Sequence, residues 1–203
     1  MRIGVLGGTF DPPHLGHLRL AQAAIAHLEL DEVLLMPAQR NPMKEQAQAT
    51  ARQRLEMTRL LASGHAGLAV SDMEITRGGP SYAVETMAEL QMTRQAEYWF
   101  LVGADALKGL PDWKQPKKLL RMCRIGVALR WPIIEAQLLG SMPEEFRSAI
   151  DLIPMPRADI SATEVRDRLS KGKPTSDWIE PEVLTYIREK GLYGTAVQTT
   201  NKS

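Results

Sequence analysis

Cysteine is nearly absent: Cys123 is the single one in 203 residues. No internal disulfide can form, which fits a reducing compartment. Its apolar surroundings, LLRMCRIGVAL, point to a small core residue rather than a nucleophile. Long hydrophobic runs are missing as well. No stretch of about 18 apolar residues occurs, so no membrane span is expected. No apolar leader precedes the first glycines, so no secretory signal is expected either. Charge of one sign is not in excess: 25 Lys plus Arg face 24 Asp plus Glu, a net charge of +1. A general basic signal for nucleic acid is therefore lacking. Lys114, Lys117 and Lys118 read as a solvated helix face. These absences predict a cytoplasmic protein with neither nucleic acid nor membrane as a partner.

What is present is ordinary globular composition, 44% hydrophobic and 24% charged, with length enough to bury a substantial core. Short apolar runs alternate with helical patterns. Strands are predicted at 3–6, 33–36, from 68 towards 75, at 98–102 and at 125–129, with a shorter one at 151–154. Helices are predicted at 17–30, 52–62 and 82–93. This alternation predicts an α/β fold, a Rossmann-like doubly wound parallel sheet with helices on both faces. Ligands of such sheets bind at the carboxyl ends of the strands. The loops after Leu6, Met36, Val102 and Leu129 are therefore the places to look. A small C-terminal helical subdomain follows, from about residue 160 to 194. Ser161 and Glu164 form its capping-box signature, and Pro181 and Gly191 bracket its last helix. One domain over 1–194 is expected, with a flexible polar tail over 195–203.

The first loop, Gly7 to His17, reads GGTFDPPHLGH. Glycines directly after a strand let backbone N–H groups approach phosphate oxygens. The helix that follows favours anions at its start. His14 and His17, flanking Gly16, can turn both imidazoles to one side and donate hydrogen bonds to phosphoryl groups. The loop is neither a Walker A sequence nor a GxGxxG fingerprint. Metal ligation by Asp11, His14 and His17 is the weaker reading, since no cysteine lies nearby and the other histidines, His27 and His65, read as structural.

These residues resemble a known family. GGTFDPPHLGH resembles the HxGH loop of the nucleotidyltransferase superfamily, and ISATEVR, Ile160 to Arg166, resembles its second signature. Four more segments are similar to bacterial nicotinate mononucleotide adenylyltransferase: PAQRNPMK from Pro37, SYAVETM from Ser81, FLVGADAL from Phe100 with Trp113-Lys114 after it, and WIEPEVLTYIREKGLY from Trp178. The resemblance runs in order through nearly the whole chain. It implies adenylyl transfer from ATP to nicotinate mononucleotide, giving deamido-NAD and pyrophosphate in NAD biosynthesis. His14, His17, Lys44 and Arg166 are then the implied catalytic groups. Gly7, Gly8, Thr9, Phe10, Gly103, Asp105, Ile160, Ser161 and Thr163 are implied to join His14, His17 and Arg166 at ATP. Gly8, Thr9, Phe10, Lys44, Tyr82, Thr86, Trp113, Lys114 and Arg130 are implied at the mononucleotide. Asp105 can equally cap the helix after Val102, and Trp113 can equally be packing. Mg²⁺ is expected to arrive with ATP, without a carboxylate cage.

Departures are visible: Ala83 stands where Thr is usual, Ala162 where Ser is usual and Met43 where His is frequent, and Arg130-Trp131-Pro132 differs from the usual Arg-x-Gly. Three rivals remain: phosphopantetheine adenylyl transfer, a preference for nicotinamide mononucleotide, and a non-catalytic nucleotide sensor. The middle segments argue against the first, and retention of His14, His17, Lys44 and Arg166 against the last. Expected partners are thus ATP and nicotinate mononucleotide, with a homo-oligomer left open.

Overall fold

The computed structural model describes residues 1–43, 45–130, 135–140, 142–155 and 160–195, with only the backbone described at residues 130 and 135–137. Six strands form one sheet: β1 (Arg2–Gly8), β2 (Glu32–Pro37), β3 (Leu68–Val70), β4 (Glu97–Gly103), β5 (Arg124–Arg130) and β6 (Ile150–Met155). Their order is β3-β2-β1-β4-β5-β6, and every pairing is parallel. Val5 sits between Leu34 and Phe100, so the two oldest-numbered halves meet along β1 and β4. Strand order reverses at that seam, where the carboxyl ends of a doubly wound sheet open into a crevice.

Helices cover both faces because the central strands are apolar on both sides. On one face α1 (Leu15–Leu28) and α2 (Ala51–Ala62) share a core with α9 (Ala162–Ser170) and α10 (Pro181–Glu189). Leu18, Ala21, Ala24 and Leu28 of α1, with Val183 and Ile187 of α10, are fully or nearly buried in it. The other face carries α4 (Ala83–Thr93), α5 (Ala104–Lys108), α6 (Pro116–Met122) and α8 (Glu144–Arg147). Leu138, from α7 (Glu135–Gly140), joins that second core. Cys123 is buried there, and burial pushes its thiol up to about 12. The core reading of this residue is the one the structure supports.

Several boundaries move. The third strand does not run to Ile75: it ends at Val70, and Met73–Arg77 forms the short helix α3. β3 is an edge strand with β2 as its partner, and Ser71 N–H makes the next bond, to Leu35 O at 3.0 Å, before the chain turns. The sixth strand is as long as the second, six residues each. Ser161 caps α9 by accepting from Glu164 N–H at 3.2 Å. α5 is the helix expected after Val102 and α6 carries Lys117 and Lys118 of the expected helix face, while no pattern announced the turn Leu110–Asp112. Thr195, placed by sequence in a frayed tail, is tied by its hydroxyl to Leu192 O at 2.8 Å; residues 196–203 lie outside the described set.

The amino ends of the strands hold a polar clasp, remote from the ligand end. Asp151 accepts from Trp99 Nε1 at 2.7 Å and from the Arg124 fork, whose second bond is 2.7 Å. Arg2 lies over the Trp99 ring at 4.8 Å. Burial pushes the Asp151 carboxyl up, but the hydrogen bonds from Arg124 and Trp99 outweigh it and leave it below its ordinary 3.8. A depressed carboxyl stabilises the fold above its unfolded value and loses that contribution as pH falls through the folded one. Asp151→Asn is therefore expected to lower the urea midpoint at neutral pH. The gap to wild type should close on acidification below about pH 4. A gap that persists undiminished into acid would show that the charge contributes nothing.

Candidate active site

The loop after β1 is held in a shape its glycines and Phe10 require. Phe10 adopts φ 52, and its ring is 1% exposed. That ring lies 3.1 Å from where a Cβ on Gly8 would stand, and Phe100 lies 3.0 Å from one on Gly7. Side chains at either position would close the approach to the strand end. Phe10 is thus an inward anchor.

α1 begins at Leu15, two residues before the sequence reading placed it, and His14 is its N-cap. Both histidines therefore sit in the first turn. His14 N–H donates to His17 Nδ1 at 3.2 Å. With Nδ1 accepting, the proton of a neutral His17 sits on Nε2, which becomes a donor. The imidazoles stack with centroids 3.8 Å apart and a 35° tilt, and Phe10 backs His17 at 4.7 Å. Gly16 makes this possible: a Cβ there would lie 2.9 Å from His14 Nδ1, with Ile160 O 3.6 Å away on the next wall. Gly16→Ala is expected to displace the His14 ring. The cost in stability should be about 1–3 kcal/mol and the loss in kcat at least tenfold. Thermal denaturation and turnover measured side by side check both; wild-type kcat in this variant would show that the ring pair is not required.

The second signature arrives at the same place. Arg166, from α9, donates to Asp11 O at 2.7 Å, and its other nitrogen reaches Thr163 Oγ1 at 3.4 Å. Leu15 N–H, at the start of α1, donates to Trp178 O at 2.8 Å. Residues 155 positions apart are joined at one loop, with the starts of α1 and α9 abutting through Gly16 and Ile160.

A cavity of about 410 Å³ opens beside this loop, with Gly7 and Gly8 in its wall. Tyr82, Asp105, Trp113 and Lys114 line it, as do Phe100 and Met43. Trp113 stands edge-on to Phe100, 5.8 Å between centroids at 84°. Lys114 Nζ pairs with Glu85 at 2.5 Å and lies 4.2 Å over the Tyr82 ring. Gly103 closes β4 and caps α5, with open space where its side chain would point. Asp105 is not the cap: it lies in the first turn of α5, and its side chain is 90% exposed. It lines this cavity.

Thr86 is fully buried, donates to Glu74 Oε1 at 2.5 Å and accepts from Arg77 at 3.0 Å. Its hydroxyl is spent on Glu74, which lines the cavity while Thr86 does not. Lys44 lies outside the described residues, although Asn41, Pro42 and Met43 before it line the cavity. Arg130 ends β5.

Sequence reasoning missed the supports. Arg54 is 2% exposed and donates to Thr9 O at 2.7 Å, Gln39 O at 3.1 Å and Ala49 O at 3.3 Å. Burial lowers its pKa, opposed by Asp11 and Tyr193. Asp11, 4% exposed, accepts from Gln48 N–H, Ala49 N–H and the Tyr193 hydroxyl. Its carboxylate is committed to the loop's own architecture. A charged residue on the buried face of α2 was the available signal for Arg54. Nothing local marked Tyr193.

A doubly wound parallel sheet with a glycine loop and a helix start at its switch point is an architecture that nucleotide-binding proteins use. In agreement, the cytidylyltransferase-like family model matches residues 5–168. A Chromobacterium violaceum protein named nicotinate-nucleotide adenylyltransferase is 40% identical over 95% of this chain and 98% of its own. A Bordetella avium protein of the same name is 40% identical over the same shares. The chain belongs to the nicotinate-nucleotide adenylyltransferase family. A solved Plasmodium falciparum nicotinic acid mononucleotide adenylyltransferase complexed with NaAD shares the fold, with TM-score 0.77 and 19% identity over 97% of this chain and 99% of that one. No helix among the described residues is long and apolar enough to cross a membrane.

Proposed function

We propose that this chain transfers AMP from ATP to nicotinate mononucleotide, forming deamido-NAD and pyrophosphate. The observation that carries the reading is the junction of the two signatures. His14 and His17 at the start of α1 and Arg166 from α9 converge on one loop, beside a cavity walled by an aromatic edge and a cation. The names of the relatives give the substrate class.

The 5′-phosphate of the mononucleotide attacks the α-phosphorus of ATP. The bond to the bridging oxygen breaks, and pyrophosphate leaves with the electron pair. A phosphate monoester is already an anionic nucleophile near neutral pH, so the site needs alignment and charge neutralisation rather than a strong base. His17, with its proton on Nε2, donates to the oxygens on which charge grows, and His14 stacks against it to fix its plane. Arg166 offers the part of its guanidinium that Asp11 O does not engage to the β- or γ-phosphate. Backbone N–H groups of Gly8 to Phe10 and the start of α9 at Ser161 and Thr163 add donors. Lys44 supplies a further cation. Trp113 and Tyr82 hold the pyridine ring, and backbone N–H groups at Trp113 and Lys114 recognise the acid in preference to an amide.

Enzymes of this class work with divalent metal ions, and Mg²⁺ bound to ATP oxygens is the form that fits here. Asp11, three residues before His14, already accepts three hydrogen bonds. Among the described residues no group of three His, Cys, Asp or Glu side chains converges. Such a donor set suits a metal held by phosphate and water.

Pyrophosphate release with Mg·ATP and, in turn, nicotinate mononucleotide, nicotinamide mononucleotide and phosphopantetheine tests the reading. The highest kcat/KM is expected with the first. A higher value with either other substrate would move the assignment to it, and no release with any would leave a nucleotide sensor.

A further inference from the structure

The phosphate loop is shaped from outside itself. Asp11 projects from its middle into a buried junction of distant segments. It receives Gln48 N–H at 2.8 Å and Ala49 N–H at 3.0 Å from the end of the stretch that carries Met43 into the cavity. The third donor is the Tyr193 hydroxyl at 2.7 Å, from 182 residues away. Tyr193 is held for this purpose in a left-handed conformation, φ 56 and ψ 32, in the turn Leu192–Gly194 that follows α10. Its ring is 7% exposed. Burial and the neighbouring Asp11 carboxylate push the phenol far above its ordinary value, so the hydroxyl remains a proton donor throughout the working pH range.

Packing alone would be met by phenylalanine at this position. The hydroxyl adds a charge-assisted bond to a carboxylate with little access to water. Asp11 lies three residues before His14, and its own carbonyl is the acceptor for Arg166. A shift of Asp11 therefore moves both the histidine pair and the Arg166 guanidinium. We propose that Tyr193 is a positioning residue for adenylyl transfer: through Asp11 it sets the placement of the loop that presents His14, His17 and Arg166. The proposal rests on the function given above for the size of its catalytic effect, and on geometry alone for the loop's placement.

Tyr193→Phe keeps the ring and removes the hydroxyl; Tyr186→Phe, on α10, serves as control. Well below the melting midpoint, Tyr193→Phe is expected to lower kcat by about 10- to 100-fold, the scale of a small misplacement of reacting groups. KM for ATP and for nicotinate mononucleotide should each stay within about threefold of wild type. Asp11→Asn should show a comparable loss, and the double variant no more than Asp11→Asn alone, because both act through one contact. In the ligand-free protein, the imidazole NMR signals of His14 and His17 should shift in Tyr193→Phe and not in Tyr186→Phe. Unchanged kcat with unchanged imidazole signals would overturn the proposal. So would additive losses in the double variant, or a kcat loss that leaves the imidazoles unmoved. If wild type releases no pyrophosphate with any mononucleotide, the assigned function fails. The imidazole signals still decide whether Tyr193 positions the loop, unmoved signals overturning it.

Discussion

His17→Ala is expected to lower kcat by about 10²–10³-fold, the loss typical of removing one donor aimed at developing negative charge. The argument starts from the bond between His14 N–H and His17 Nδ1. That bond places the His17 proton on the opposite nitrogen and fixes the ring at the mouth of α1, where the helix dipole already favours phosphate. A donor held in this way needs no reorganisation as the bond to pyrophosphate breaks. Removing the side chain also deprives the helix start of an acceptor, at about 1 kcal/mol. The buried residues of α1, Leu18, Ala21 and Ala24, are untouched, so the variant should fold with a slightly lowered melting temperature. His17→Asn separates the two effects. Its side-chain oxygen can accept at the helix start, restoring stability without restoring turnover. Pyrophosphate release and thermal denaturation on all three proteins give the answer; near-wild-type kcat in His17→Ala would remove the residue from the mechanism.

Arg54→Met should be the most destabilising single change in the site region, by about 3–5 kcal/mol. The guanidinium has almost no access to water and is the donor for carbonyls of Thr9, Gln39 and Ala49. Methionine fills much of the volume, but leaves those carbonyls without their donor. It also removes one of the two cations at the buried Asp11 carboxylate, whose field acts on Arg54, and leaves Arg166 at 4.0 Å. Losing part of the compensation of a buried charge adds to the cost. For a chain of this size the loss corresponds to a drop of roughly 10 °C in melting temperature. Arg54→Lys should recover little of it, because an ammonium cannot span three carbonyls with a rigid fork. Chemical denaturation of both variants measures this, and a loss below about 1 kcal/mol in Arg54→Met would show that the carbonyls find water instead.

Within these supports lies the division between what was readable and what was not. The central strands were legible because parallel strands buried on both faces are short and continuously apolar, as at Ile3 to Leu6 and Ile125 to Leu129. The edge strand was misread: Val70, Met73 and Ile75 are apolar, but Ser71, Asp72 and Glu74 lie between them, and β3, with β2 as its neighbour, turns away at Ser71. Short helices around the cavity, Ala104–Lys108 and Pro116–Met122, are too brief to show a period.

The sequence by itself determined the alternating α/β plan and the glycine loop with its two histidines, and its resemblance to a known family singled out Ile160 to Arg166. Those features are local: glycines after a strand and a cap before a helix act on neighbours a few residues away. Tertiary structure alone decided that Arg166 bonds the carbonyl of Asp11, that Arg54 lies buried beneath Thr9, that Thr86 supports Glu74 instead of facing the cavity, and that Tyr193 reaches the first loop from the far end of the chain. Each of these is a bond between groups whose proximity depends on how whole helices pack on the sheet, and no local pattern of residues encodes it. The loop proposed to bind phosphate was therefore visible in eleven consecutive letters, GGTFDPPHLGH, while the residues that hold it in shape are scattered from 48 to 193 and became visible when the fold brought them together.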